Sequence, residues 1–127
     1  MEAGIRGEKT LIVTDEMTAA RVGSGLLPVY ATPVMIAEME NVASSSVAPY
    51  LNDGEGTVGT KMNVSHVSAS PVGIKVRIET VLTEVDRRRL VFDVKAYDAA
   101  GLIGEGMHER FIIQNEKFMA KTSAKLS

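Results

Sequence analysis

The stretch Thr32-Pro33-Val34-Met35-Ile36-Ala37-Glu38-Met39-Glu40-Asn41-Val42-Ala43 sets the architecture of this chain. Thr32 is a favourable N-cap, and Pro33 suits the first helical position, where its missing N–H leaves no bond unmade. At 100° per residue Ile36, Met39, Ala43 and Val47 share one face, which predicts a helix buried along that face. Pro49 and the turn-forming Asn52-Asp53-Gly54 end it at about Ala48.

Beyond Gly56 the period changes to two. Val58, Thr60, Met62, Val64 and His66 alternate with Lys61, Asn63 and Ser65, the pattern of a half-buried strand. Ser70-Pro71-Val72-Gly73 breaks it. A second alternation then runs through Ile74, Val76, Ile78 and Leu82, and a third through Leu90, Phe92, Val94 and Ala96. Asp98-Ala99-Ala100-Gly101 reads as a hairpin turn leading into a last strand from about Leu102 to Gln114. Upstream, Lys9 to Thr14 is a short β-branched strand. Residues 15 to 31, with Gly23, Gly25 and Pro28, keep no period and predict a loop or loosely helical lid. One strand, one long helix and four further strands make an α+β pattern. Strands long enough to curl round the helix predict a hot-dog arrangement, in which a five-stranded antiparallel sheet wraps a central helix. The 127 residues fit a single domain spanning 1–127.

Composition narrows the function classes. Hydrophobic residues make up 45% and charged residues 24%, with three Phe, three Tyr and no Trp, so the core is built from aliphatic side chains and Met. A domain of this size buries only about two-thirds of its unfolded surface, and pairing with a second copy would cover a leftover apolar face. The net charge of −2 supplies no global field for nucleic acid, and the one basic run, Arg87-Arg88-Arg89, has no interleaved aromatics. Cysteine is absent, which removes disulfides, thiolate metal sites and a Cys nucleophile. The first residues carry no apolar signal region, and no apolar run reaches the roughly 18 residues of a membrane span. The expected location is the cytoplasm, with no membrane or nucleic-acid partner.

Three residues stand out chemically. Glu40 falls about 40° from Ile36 on the helical wheel, placing a carboxylate beside the apolar face, where burial without a partner costs several kcal/mol or raises the pKa. His66 shares strand parity with Met62 and Val64, so an imidazole and a carboxylate both point inward and form a candidate acid–base couple. Thr32 is explained as an N-cap, yet the helix start also offers free N–H groups to an anion or developing oxyanion. Eight residues separate Thr32 from Glu40, about 12 Å along a regular helix, so a substrate or water has to connect them. In His108-Glu109-Arg110, alternation puts His108 and Arg110 on one face, and Arg110 could meet a phosphate or an acyl carboxylate. Neither His has metal-ligand spacing, so no metal site is expected. No nucleophile elbow or P-loop is present, and Gly54-Glu55-Gly56-Thr57-Val58-Gly59 precedes a strand rather than opening a helix, unlike a dinucleotide fingerprint.

Tyr30-Ala31-Thr32, Met39-Glu40, Ala48-Pro49-Tyr50-Leu51, Gly54-Glu55-Gly56, Val58-Gly59-Thr60, Val64-Ser65-His66, Gly106-Met107-His108-Glu109-Arg110 and Glu116-Lys117-Phe118 together resemble the fluoroacetyl-CoA thioesterase-like hot-dog proteins, in order and spacing, over roughly residues 5 to 120. The resemblance implies an acyl-CoA thioesterase with catalytic Thr, Glu and His at Thr32, Glu40 and His66. It implies a Gly59 amide facing the thioester carbonyl and Arg110 near the substrate. It also implies a site at a homodimer interface, in a dimer or dimer of dimers, and no cofactor, coenzyme A being part of the substrate. The stretch before the helix, Gly25-Leu26-Leu27-Pro28, lacks the phenylalanine of the fluoroacetate-specific lid. A short or medium acyl group is therefore expected rather than fluoroacetyl. The rival expectation is a non-catalytic acyl-CoA-binding module, since hot-dog folds host both.

Overall fold

The structure, a computed structural model, describes residues 1–127. Five strands, β1 (Arg6–Ile12), β2 (Glu55–His66), β3 (Lys75–Asp86), β4 (Arg89–Asp98) and β5 (Gly101–Gln114), form one antiparallel sheet in the order β1-β3-β4-β5-β2. A four-residue helix, α1 (Ala19–Val22), precedes the long helix α2 (Thr32–Val47), and α3 (Asn115–Ser123) follows β5. Helix α2 packs on the concave side of the sheet against β1, β3, β4 and β2. This is the hot-dog arrangement expected from the alternation pattern.

The core lies between α2 and the sheet. Met35, Met39, Val42, Ala43 and Val47 of α2 meet Val76, Ile78 and Leu82 of β3, Leu90, Phe92, Val94 and Ala96 of β4, and Ile103 of β5. The period-two runs of β3 and β4 put these aliphatic groups inward while Arg77, Asp93 and Lys95 face out. The buried stripe of α2 centres nearer Met39 than Ile36, which is only partly covered. Glu40 therefore sits about 100° round the helix from Met39, on the flank that looks toward β2.

Two local expectations are corrected. The N-cap of α2 is Ala31, whose carbonyl accepts the N–H groups of Val34 and Met35, and Thr32 is the first helical residue with Pro33 behind it. The Thr32 hydroxyl is thereby released from capping. The first strand begins earlier than Lys9, because pairing with β3 extends from Arg6↔Val81 to Ile12↔Lys75. The segment between β1 and α2 is the loosely helical loop expected, tied down by bridges between Thr18 and Tyr30 and between Val29 and Pro71. No helix is long and apolar enough to cross a membrane.

Strands β1 and β2 are the sheet's edges. The twelve-residue β2 carries a β-bulge between Gly59 and Lys61, at Thr60. A bulge adds one residue without a partner and reverses the alternation beyond it. Gly59 is opposite Arg110, Met62 opposite His108 and His66 opposite Gly104, so Gly59, Met62, Val64 and His66 share the face toward α2. Val58, expected on that face, pairs with Phe111 and looks outward instead. Simple alternation misassigned Val58 and Thr60 because it carries no information about the inserted residue.

Candidate active site

Helix α2 and strand β2 run side by side, and the polar groups between them form two clusters, one at the start of α2 and one beside its middle. At the first, Oγ1 of Thr32 lies 2.7 Å from Nδ1 of His66. The helix start supplies the hydroxyl and the last residue of β2 supplies the ring. Tyr30, fully buried, sets its ring edge-on to the imidazole at 6.4 Å and 82°. A cavity of about 250 Å³ opens over the pair, lined by Ser24, Val29, Tyr30, Thr32, His66 and Ser68 among others. Burial holds the His66 pKa below its ordinary value, with the backbone of Ser68 pulling the other way. The ring is therefore neutral at pH 7, with one nitrogen donating and the other accepting. Nδ1 is engaged by Thr32, while the buried Nε2 has no partner within the chain.

The second cluster gathers Glu40, Gly59, Thr57, His108 and Arg110. The Arg110 side chain is only 8% exposed, and its Nη1 stands 3.8 Å from Oε2 of Glu40, whose side chain is 44% exposed. Arg110 Nε donates to Thr57 Oγ1 at 2.8 Å and Nη2 donates to the Thr57 carbonyl at 2.9 Å. Burial pushes the Arg110 pKa down from its ordinary value and the Glu40 charge pulls it back. His108 stacks on Phe92 with ring centroids 6.1 Å apart and meets the Lys61 carbonyl through Nδ1 at 2.8 Å. Gly59 lies under this group. A methyl at Gly59 would sit 2.8 Å from Glu40 Oε2, 3.2 Å from His108 Cε1 and 3.3 Å from Arg110 Nη1. Only the absence of a side chain lets the carboxylate rest on the strand.

The structure thus brings Thr32 to His66, and Glu40 to Gly59 and Arg110. It does not bring the two sets together within one chain. Thr32 and Glu40 are separated by about 12 Å of helix, and Gly59 and His66 by roughly 20 Å of strand. Glu40 is half-exposed on the flank of α2 rather than sunk in the core, which corrects the expectation of a fully inward carboxylate. Sequence reasoning missed Thr57, because the bulge hid its parity. It grouped His108 with Arg110 on one face, and pairing with buried positions of β4 settles that this face points inward.

Comparison with known proteins bears on the fold and the family. A family model described as fluoroacetyl-CoA-specific thioesterase matches residues 13–116. The fluoroacetyl-CoA thioesterase of Streptantibioticus cattleyicolor is 43% identical over 97 residues, covering 76% of this chain and 70% of that protein. The crystal structure of the fluoroacetyl-CoA thioesterase FlK superposes with a TM-score of 0.93 at 36% identity, covering 98% of this chain and 97% of that one. A hot-dog-like protein from Thermanaerovibrio acidaminovorans has a TM-score of 0.92 at 20% identity, covering 100% of this chain and 94% of that one, a likeness of fold alone. Fold and relatives together define a hot-dog thioesterase, an enzyme that hydrolyses thioesters. Within that class, the chain belongs to the fluoroacetyl-CoA-specific thioesterase family.

Proposed function

We propose that the protein hydrolyses a short or medium acyl-coenzyme A thioester at a site completed by two chains. The observation that carries this reading is the split of the candidate residues into two half-sites along an edge strand that pairs with β5 on one side and has no strand of the chain on the other. An exposed strand edge is a template for pairing with another copy. Antiparallel pairing of β2 with its counterpart about a twofold axis through Asn63, with Thr60 again the residue left unpaired, would set Asn63 of the two chains opposite each other and His66 of one chain opposite Gly59 of the other. Thr32 and His66 of one protomer would then face Glu40, Gly59 and Arg110 of its partner. Each dimer would hold two such sites, and a dimer of dimers would repeat them.

In this arrangement the Gly59 amide and the Thr32 hydroxyl polarise the thioester carbonyl, whose oxygen gains charge as the tetrahedral intermediate forms. The Glu40 carboxylate takes a proton from water as that water attacks the carbonyl carbon. Collapse of the intermediate breaks the carbon–sulfur bond and releases the thiolate, and the proton that Glu40 took from water passes by way of His66 to the coenzyme A sulfur, which returns both side chains to their starting protonation states. Arg110 keeps positive charge beside Glu40 and the substrate. The chemistry calls for no metal or cofactor, coenzyme A being part of the substrate. The chain is taken to act as one domain over residues 1–127, in the cytoplasm.

The loop before α2 bears on the acyl group. Leu26 and Leu27 are 94% and 66% exposed and stand near the Thr32–His66 cavity in sequence, with no aromatic ring among Gly25-Leu26-Leu27-Pro28. Such a loop lacks a ring to recognise a fluoromethyl group and supports a broader acyl preference. Thiol release from a series of acyl-CoAs, fluoroacetyl-CoA included, tests this. Turnover of unsubstituted short or medium acyl-CoAs at rates matching or exceeding fluoroacetyl-CoA supports the reading. Tight binding without release of thiol would make the protein an acyl-CoA-binding module instead.

A further inference from the structure

We propose that His108 is a positioning residue for the hydrolysis, aiming the Arg110 guanidinium at Glu40 and at the thioester beside it, an inference that rests on the site reading above. Carbonyl oxygens only accept hydrogen bonds, so His108 Nδ1, at 2.8 Å from the Lys61 carbonyl, carries the ring proton. His108 is 1% exposed, and its burial together with the Arg110 charge holds the imidazole neutral, while Lys61, Glu40 and Glu109 act the other way. Nε2 is then a lone pair, and Arg110 Nη1 donates to it at 3.3 Å. Stacking on Phe92 fixes the ring plane.

The guanidinium is consequently held on three sides. Nε and Nη2 are occupied by Thr57, and one N–H of Nη1 by His108. The side left open faces Glu40 Oε2 at 3.8 Å. Without the acceptor at His108 the planar fork, pinned only at Thr57, can tilt as a unit and carry Nη1 away from the carboxylate. A proton on Nε2 would set two donors face to face, with the same result. The groups that face the ring are Arg110 from β5, Glu40 from α2, the Lys61 carbonyl from β2 and the Phe92 ring from β4, while Glu109 acts on it from the other face of the sheet, where it pairs with Arg89. Were the slot only a packing position, an aliphatic side chain would fill it without burying two ring nitrogens. The chain instead places there a group that donates on one edge and accepts on the other.

The test compares His108→Asn, His108→Leu and His108→Gln for kcat, KM and thermal midpoint, in the native chain and in Arg110→Lys. Asn keeps the donor to Lys61 and stops short of Arg110, whereas the Gln carbonyl reaches the position of Nε2. The expected result is a fall in kcat of about ten- to a hundredfold for Asn and Leu with KM nearly unchanged, most of it recovered by Gln. In Arg110→Lys, which lacks the planar fork, His108→Asn should cost less than about twofold, the non-additivity of residues acting as a unit. Folded Asn and Leu variants with native kcat would overturn the proposal, and so would an equal loss in the Arg110→Lys background. Should Leu fail to fold, Asn alone decides. Glu40→Gln, measured in parallel, separates the two levels. If it is fully active the site reading itself fails, and if it is inactive while His108→Asn is native, only the role of His108 fails.

Discussion

Gly59 and His66 face the same side of β2 although the interval between them is an odd number of residues. An unbroken strand would point them to opposite faces. The bulge at Thr60 absorbs one residue and turns the glycine under Glu40 while His66 remains beside Thr32. The same strand can therefore serve two half-sites, one at each end, both on the face toward α2.

Gly59→Ala tests the first of these directly. No positive φ is required at Gly59, so the backbone tolerates alanine, and the cost arises from the methyl reaching 2.8 Å from Glu40 Oε2. The carboxylate has to move. Expected is a loss of kcat/KM of about a hundredfold, since displacement by an ångström is enough for that, with a thermal midpoint close to the native one.

Glu40→Gln keeps the shape of the side chain and removes its basicity. A drop in kcat of about 10²- to 10⁴-fold is expected in thiol-release assays, the usual worth of a positioned general base. His66→Ala should behave similarly. Both variants should sediment as the native oligomer, because neither side chain belongs to the core.

The fold was largely legible because its signals are local. Thr32-Pro33 marked the start of α2, and alternation from Val76 to Leu82 in β3 and from Leu90 to Ala96 in β4 marked the inner face of the sheet. Glu40 and His66 were legible as polar residues where apolar ones were due. The bulge was not, since a single extra residue leaves no compositional trace, and Val58 was misplaced with it. Thr57 and the role of His108 depend on side-chain geometry across β2, β4 and β5, which no linear spacing encodes. Helix α3 also went unseen: it buries no residue, so it has no apolar stripe to announce it.

Acid should reduce activity and stability together. Both histidines have pKa values held below the ordinary histidine value by burial. They are neutral in the folded protein at pH 7, and below about pH 6.5 the unfolded chain takes up protons first. Their contribution to stability is complete above that value and is lost as pH falls toward the depressed folded pKa. The acid limb of kcat/KM should have its midpoint below the ordinary histidine range and move when His66 is replaced. Denaturation midpoints and rates measured from pH 7.5 to about pH 5 check both.

Asn63→Asp places a carboxylate near the proposed twofold axis on each chain. Like charges directly across paired strands destabilise the pairing. The dissociation constant of the proposed dimer should rise at least about tenfold, with thiol release falling in step as protein is diluted. Sedimentation velocity at several concentrations reads the first, and specific activity at the same dilutions the second.

Mixing the two inactive variants tests the shared site most directly. Glu40→Gln and His66→Ala are unfolded together, refolded and assayed. If each site takes Thr32 and His66 from one protomer and Glu40 from its partner, every mixed dimer regains one intact site and concentrates both substitutions in the other. Random pairing then restores about a quarter of native activity. Activity no greater than the sum of the two variants alone would contradict the account and place the whole site within one chain.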